Sequence, residues 1–509
     1  MWCENSHHKE CRSVSKGFIR YETKNGVEYA SVYKARRDGE KKVNDIEYLG
    51  RVIDKEKGVF RNRAKGTFCF SIENGLVEVP PLPSKAEKLI LDFGDSFFLG
   101  EMLKRMELLP LIRRVFGGRS DCVASLLFYK LLLGGANCHA YSWWEGSYVR
   151  IMFPDANLPS QRISETLSTV GDERVCRAFF TEYLQFISSR CGDSVIVDSS
   201  GMPNDIHMPI TAINNHNGII NNETRLVLVL ERETKLPIYF RYAAGNIVDV
   251  STLRTTMAEV KAFGINVRQA IVDAGYYSDK NIKAMQKEEI SFVMRVPPNR
   301  KLYKDLIAEH GASLENASNL VKYRERFLYI KRVTVDFFGS EGYAYVAVDI
   351  DRKHDETKSY MNRNHDNKEL TADDMNKAIQ SKGRFVLVSA APTEPCEILP
   401  LYYQRQIIEQ VFDISKNNAD LLPLRVHGID TFRGHLLLSF IATVMYTLVN
   451  QLLKDSDFCA IGAFRILRNM KCKVFEESVI PQEPNKNMNN IAKHVKLDYP
   501  IALQPSAVW

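Results

Sequence analysis

Residues 194–200 read Ser-Val-Ile-Val-Asp-Ser-Ser, and residues 269–275 read Gln-Ala-Ile-Val-Asp-Ala-Gly. Each is a short apolar run that stops at an aspartate, the pattern of a strand buried on both faces whose end emerges at the rim of a sheet. Between them lie two more apolar runs, 224–231 (TRLVLVLE) and 236–245 (LPIYFRYAAG), parted by polar turns. A meander of three antiparallel strands is expected there. A helical stretch at 250–264 (VSTLRTTMAEVKAFG), a second helix after Asp273 and a strand at 291–296 (SFVMRV) complete an alternation that predicts an α/β core with the meander at one edge.

Outward from this centre, residues 297–382 are charged and carry their own alternating strands, at 326–338 and 342–352, so they read as a β-rich insertion. The core pattern resumes at 384–391 (RFVLVSAA) and leads into a long helix expected from about 398 to 418. Residues 85–190 show helical periodicity, and 1–80 show short aromatic and β-branched runs broken by Asn-Gly and Asp-Gly turns. The stretch PPLPS at 80–84 reads as a linker. The expected organisation is therefore a basic β-rich unit (1–80), a helical domain (85–190), a core in two parts (191–296 and 383–455) around the insertion (297–382), and a tail (456–509).

Composition narrows the class. An apolar fraction of 45% with 26% charged residues is that of an ordinary soluble globular chain. Ten cysteines without a CxxC pair point to free thiols in a reducing cytosol. Cys3, His7, His8 and Cys11 are zinc-type ligands in a spacing that matches no zinc motif, and a frayed polar terminus is the reading preferred. No apolar stretch follows a basic start, so no secretory signal is expected. The uncharged run 436–453 is long enough to cross a bilayer, but Ser439, Thr443, Thr447, Asn450 and Gln451 give it the polar edge of a buried core helix. GxxxxGK[ST] and GxSxG are both absent, which argues against a nucleotide-driven enzyme and a serine hydrolase. His207, His216 and His427 read as ordinary surface or core histidines. Residues 1–65 carry 16 Lys and Arg against 10 Asp and Glu, which accounts for the whole net charge of +6. A basic unit on a neutral body suits a polyanion-binding module, although interleaved signs also fit a solvated surface.

The third informative segment is 402–416, YYQRQIIEQVFDISK. At 100° per residue, Tyr402, Arg405, Glu409 and Lys416 fall within an arc of about 60°, while Ile407, Ile408, Val411, Phe412 and Ile414 form a separate apolar face. An isolated helix with this pattern would be a solvated face carrying an i,i+4 ion pair. Beside a sheet that already presents Asp198 and Asp273, a carboxylate in the middle of the polar stripe points elsewhere. Three clustered carboxylates repel unless cations bind among them, and hard oxygen ligands select Mg2+ or Mn2+. Two such ions can activate an attacking oxygen and stabilise a leaving one in phosphoryl displacement. Arg405 and Lys416 would then hold phosphates, with Tyr402 on a phosphate or a base.

These residues resemble the DDE transposases of bacterial insertion sequences, in the branch with a β-strand insertion and a Tyr-x2-Arg-x3-Glu-x6-Lys signature. Tyr402, Arg405, Glu409 and Lys416 reproduce that spacing, Asp273, Gly275 and Tyr276 match the branch's Asp-x-Gly-Tyr, and Asp198 matches the less specific first motif. The likeness spans about residues 185–450. It implies an RNase-H-like mixed-sheet catalytic core, with Asp198, Asp273 and Glu409 as catalytic metal ligands for two divalent ions, Mg2+ or Mn2+. It implies DNA contacts from Tyr402, Arg405 and Lys416, and metal-dependent cleavage that frees a 3′ hydroxyl at the element end for attack on target DNA. The implied partners are terminal inverted repeats, target DNA and a second copy of the chain in a synaptic dimer, in the nucleoid-associated cytoplasm of a bacterium. Relatives that form DNA hairpins stack an insertion aromatic on a flipped base; Phe327, Tyr329, Phe337 and Tyr345 are the candidates, and the sequence does not choose among them. Trp143 and Trp144 offer another stacking site or a packed core. The alternatives are a nuclease on the same core without strand transfer, and an inactive DNA-binding derivative, which would require a broken carboxylate set.

Overall fold

The computed structural model describes residues 17–504 apart from 25–26, 39–40, 63–65, 74, 78–88, 205, 207, 217–218, 248, 365–369 and 477. The Cys3–Cys11 cluster, the 80–84 linker and His207 lie outside the described residues, as does the side chain of His216. The chain forms two compact units, Met1–Lys88 and Leu89–Trp509.

In the first unit β1 (Phe18–Lys24), β2 (Val27–Asp38), β3 (Lys41–Asp54), β4 (Val59–Asn62), β5 (Gly66–Ser71) and β6 (Gly75–Val77) pair in that order as an antiparallel sheet. The two-residue period of the strands puts Ala30, Val32, Leu49, Phe60, Phe68 and Phe70 in a small core. On the other face Phe18 stacks on Tyr33 and Tyr29 on Tyr48, with the Arg20 guanidinium over the Tyr33 ring.

The second unit opens with β7 (Leu89–Asp92) and the helices α1 (Gly94–Arg105), α2 (Leu108–Phe116), α3 (Ser120–Leu132), α4 (Ala140–Gly146), α5 (Val149–Met152), α6 (Ser160–Val170) and α7 (Glu173–Ile187). Trp143 and Trp144 pack here, against Tyr129 and Tyr141.

The sheet that follows is built from β8 (Ser194–Pro203), β9 (Ala212–His216), β10 (Ile219–Glu231), β11 (Pro237–Ala244), β12 (Gln269–Val272) and β13 (Ser291–Arg295). Helices α8 (Asp249–Ala262) and α9 (Asp279–Lys287) form the crossovers to β12 and β13. The order is β11-β10-β8-β12-β13, with β8, β12 and β13 parallel and the meander antiparallel: the mixed RNase-H-like core expected. After α10 (Lys301–His310), strands β14 (Leu320–Tyr323), β15 (Arg326–Phe337) and β16 (Ser340–Asp349) continue this same sheet through β17 (Arg384–Ser389). Helices α11 (Ile350–Asn364) and α12 (Ala372–Gln380) lie between β16 and β17 in sequence.

Beyond β17 the structure departs from expectation. The single helix expected over 398–418 is three pieces: α13 (Pro395–Tyr403), α14 (Gln406–Asp413) and a π turn, Ile414–Asn418. At the first break the amides of Arg405, Ile407 and Ile408 bond three residues back instead of four, which winds the chain tighter than 100° per residue. The π turn winds it looser. A regular helical wheel therefore misplaces both Arg405 and Lys416.

Last come α15 (Ile429–Leu452), α16 (Ala460–Leu467), β18 (Lys471–Val474), β19 (Val479–Pro481) and α17 (Lys486–His494). The uncharged helix α15 is core as expected: 94% of its apolar window is buried, and it packs on α3, α6 and β11. From its first half His435 reaches Leu421, with Nε2 2.9 Å from the carbonyl oxygen, while buried Lys130 of α3 donates to the Asp420 carbonyl at 3.1 Å. These bonds anchor the segment that leaves the π turn.

Burial holds the His435 imidazole neutral, with its pKa down at about 3. The unfolded chain takes up that proton near pH 6.5. His435 therefore contributes stability that is complete above pH 6.5 and is lost as pH falls toward 3. Between pH 6.5 and 5 the loss is about 2 kcal/mol. His435→Gln keeps a donor for Leu421 and removes the titration. Denaturant melts at pH 7 and pH 5 should show the variant losing less stability than wild type by about that amount, and equal losses would contradict it.

Candidate active site

The register of the parallel strands sets the site. Val272 pairs with Val197, so the next residues, Asp273 and Asp198, lie side by side. Asp273 follows the end of β12, but Asp198, expected at a strand end, stands inside β8, which runs on to Pro203 because β10 continues to pair with it. The runs before them, Val195–Val197 and Ala270–Val272, are fully buried, and an aspartate is the first group that each offers beyond its buried stretch.

Across from them the break between α13 and α14 delivers Arg405. Its Nη1 donates to Asp198 Oδ2 at 2.8 Å, its Nε lies 3.7 Å from Asp273 Oδ1, and its Nη2 is 3.2 Å from Glu409 Oε1. One guanidinium thus gathers all three expected carboxylates. They are graded in exposure, the Asp198 side chain at 13%, Asp273 at 40% and Glu409 at 57%. Burial pushes the Asp198 carboxyl up to about 6 against the pull of Arg405 and the Ser199 amide, with Asp273 and Asp249 adding repulsion.

The other signature residues close around this centre. Tyr402 is buried, and its hydroxyl donates to Asp273 Oδ1 at 3.2 Å. Burial, then the nearby Asp273 charge, raise its pKa, so it stays a donor. Lys416, carried inward by the π turn, donates to Ser200 Oγ at 2.6 Å and to the Gly201 carbonyl at 3.2 Å, beside the Asp198 strand. Burial lowers its pKa, opposed by Glu223 and Asp413. All six expected residues meet at the end of β12 and the middle of β8, Tyr402 more deeply and Lys416 more tightly held than a solvent-facing stripe would have them.

The donor chemistry suits a hard divalent cation, since three carboxylates surround the centre and, among the described residues, no thiol or imidazole joins their bonded network. Among the described residues, however, no group of three His, Cys, Asp or Glu side chains is already drawn together to hold an ion. The carboxylates are spread around the guanidinium, which holds the place of the positive charge.

A second layer was not singled out from sequence. Ser199 donates its hydroxyl to Asp249 Oδ1, Arg225 donates to the same oxygen, and Arg225 also pairs with Glu223. Asp249 opens α8, and an acidic residue at a helix start is too ordinary to stand out. Of the insertion aromatics, Phe337 and Tyr345 are buried, Tyr345 with its hydroxyl bonded to Thr393; Tyr329 is half-buried and Phe327 is 46% exposed. His427 is exposed and apart from the site's bonded network.

No curated protein matches the sequence. A cryo-EM structure of a piggyBac transposase synaptic complex with hairpin DNA is similar at 12% identity and a TM-score of 0.36, over 69% of this chain and 70% of that one. Residues 193–445 match the family described as the transposase DDE domain, a span that begins at the foot of β8, takes in Asp198, Asp273 and Glu409, and ends inside α15. By that domain the chain belongs to the DDE transposases, enzymes of metal-dependent polynucleotidyl transfer that act on DNA.

Proposed function

We propose that the protein moves an insertion sequence by cutting DNA at the element's ends and joining the freed 3′ hydroxyl to target DNA, as a member of the branch with a β-strand insertion and the Tyr-x2-Arg-x3-Glu-x6-Lys signature. The observation that carries this reading is the convergence of Asp198, Asp273 and Glu409 on a single positive charge.

In this reading Asp198, Asp273 and Glu409 hold two divalent ions, Mg2+ or Mn2+, which would polarise the attacking and leaving oxygens of an in-line displacement. Water attacks the phosphodiester at the element end and the 3′ oxygen departs as a hydroxyl. That hydroxyl then attacks a target phosphodiester and displaces its 3′ oxygen. Arg405, once freed from the carboxylates by a bound cation, would be able to bind a phosphate bidentately. The Tyr402 hydroxyl keeps Asp273 in orientation and lies within reach of an end phosphate. The N-terminal sheet, with its basic surplus, would hold the terminal inverted repeats, and two copies of the chain would bring two ends together. The setting is a bacterial nucleoid.

Purified protein, Mg2+, DNA carrying the element's ends and a plasmid target test this. Joined end–plasmid products are expected. Cleaved ends without joining would leave a metal-dependent nuclease instead.

Lys416 has one N–H left after its two bonds to β8, enough for one phosphate. Lys416→Ala should flatten the salt dependence of end binding by about one unit of slope. Its affinity loss is then roughly three times larger at 50 mM than at 200 mM salt. An unchanged slope in a gel-shift titration would rule out the phosphate contact.

A further inference from the structure

We infer that Asp249 is a positioning residue of this active site, fixing Asp198 and Asp273 relative to each other. The inference rests on the reading above, in which Asp198, Asp273 and Glu409 hold divalent cations.

The carboxylate of Asp249 stands between the two segments that carry them. On one side its Oδ1 accepts the Ser199 hydroxyl at 2.5 Å, and Ser199 is the residue after Asp198, its amide donating to Asp198 Oδ1 at 2.8 Å. On the other side its Oδ2 lies against Gly275, two residues after Asp273, so closely that a Cβ at 275 would stand 3.1 Å from it. A glycine at the third place of the Asp-x-Gly turn is thus explained by the room Asp249 needs.

Its charge is answered away from the cation centre. Arg225, 9% exposed, donates to Asp249 Oδ1 at 2.5 Å and pairs with Glu223 at 3.6 Å. With Oδ1 taken by two donors and Oδ2 packed on the Gly275 turn, Asp249 is placed to orient the carboxylates and not to join them as a ligand. Groups that orient metal-binding side chains typically change metal affinity or activity by about 10- to 100-fold when removed.

The test is a titration of the full-length protein with Mn2+ alone, reading unbound Mn2+ by electron paramagnetic resonance, with thermal melting recorded for each variant. Asp249→Ala should weaken Mn2+ binding about 10-fold. Ser199→Ala, which keeps the Asp249–Arg225 pair and so tests the link even where Asp249→Ala fails to fold, should weaken it in the same direction. Asp198→Ala is the control. If it weakens Mn2+ binding while Asp249→Ala (or, where that variant does not fold, Ser199→Ala) binds as wild type, the role of Asp249 is overturned and the carboxylate reading stands. If Asp198→Ala itself leaves Mn2+ binding unchanged, the carboxylate reading fails and the role of Asp249 goes with it.

Discussion

Asp198→Ala, Asp273→Ala and Glu409→Ala should each reduce Mg2+-dependent cleavage of end DNA by at least about a thousandfold, close to 4 kcal/mol of transition-state stabilisation. Binding to the same DNA should change little. Each of the three directs a carboxylate oxygen at the place where Arg405 now holds a positive charge. The apolar runs before Asp198 and Asp273 are fully buried without them, and Glu409 is largely exposed. Removing any one also relieves repulsion among the rest, so folding should survive, and melting curves would verify it. Labelled end DNA, nicked in Mg2+ and shifted in gels with EDTA, gives both readouts. A variant that cleaves at a tenth of the wild-type rate or faster would remove that residue from the catalytic set.

The two aspartates were readable in advance because a buried strand leaves a plain mark: three or four apolar residues that end in one carboxylate. Their adjacency was not readable. It follows from the parallel pairing of Val197 with Val272, a register set by the whole sheet. The signature helix was half legible. Its apolar face was assigned correctly at Ile408, Val411 and Phe412, all buried, since that face depends only on local period. The polar side was drawn on a regular helix, and the chain there changes its hydrogen-bond period twice. Asp249, Arg225 and Glu223 were invisible for another reason. Each is a single charge on an unremarkable strand or helix start, and only the fold shows that Arg225 pairs with both acids beneath Ser199.

Arg405→Ala should have two opposite effects on one protein. Without divalent metal the variant should melt several degrees lower, because Asp198, Asp273 and Glu409 lose the charge that holds them together. Removing one partner from a fully buried charge cluster costs about 3–5 kcal/mol. Two of these carboxylates are open to water, so solvent screening should reduce the loss to roughly 2 kcal/mol. With Mn2+ present the order should reverse in part. A cation entering wild type must displace the guanidinium, whereas in the variant it meets three uncompensated carboxylates, so Mn2+ should bind more tightly and raise the melting temperature further. Cleavage should nevertheless fall at least about a hundredfold, since the released guanidinium is the group proposed to bind a phosphate of the end DNA. Tighter metal with slower chemistry is a combination that a merely damaged fold cannot give. If the variant melts like wild type in EDTA and titrates with Mn2+ at wild-type affinity, Arg405 does not hold the cation's place, and the contacts it makes with the three acids are incidental to their function.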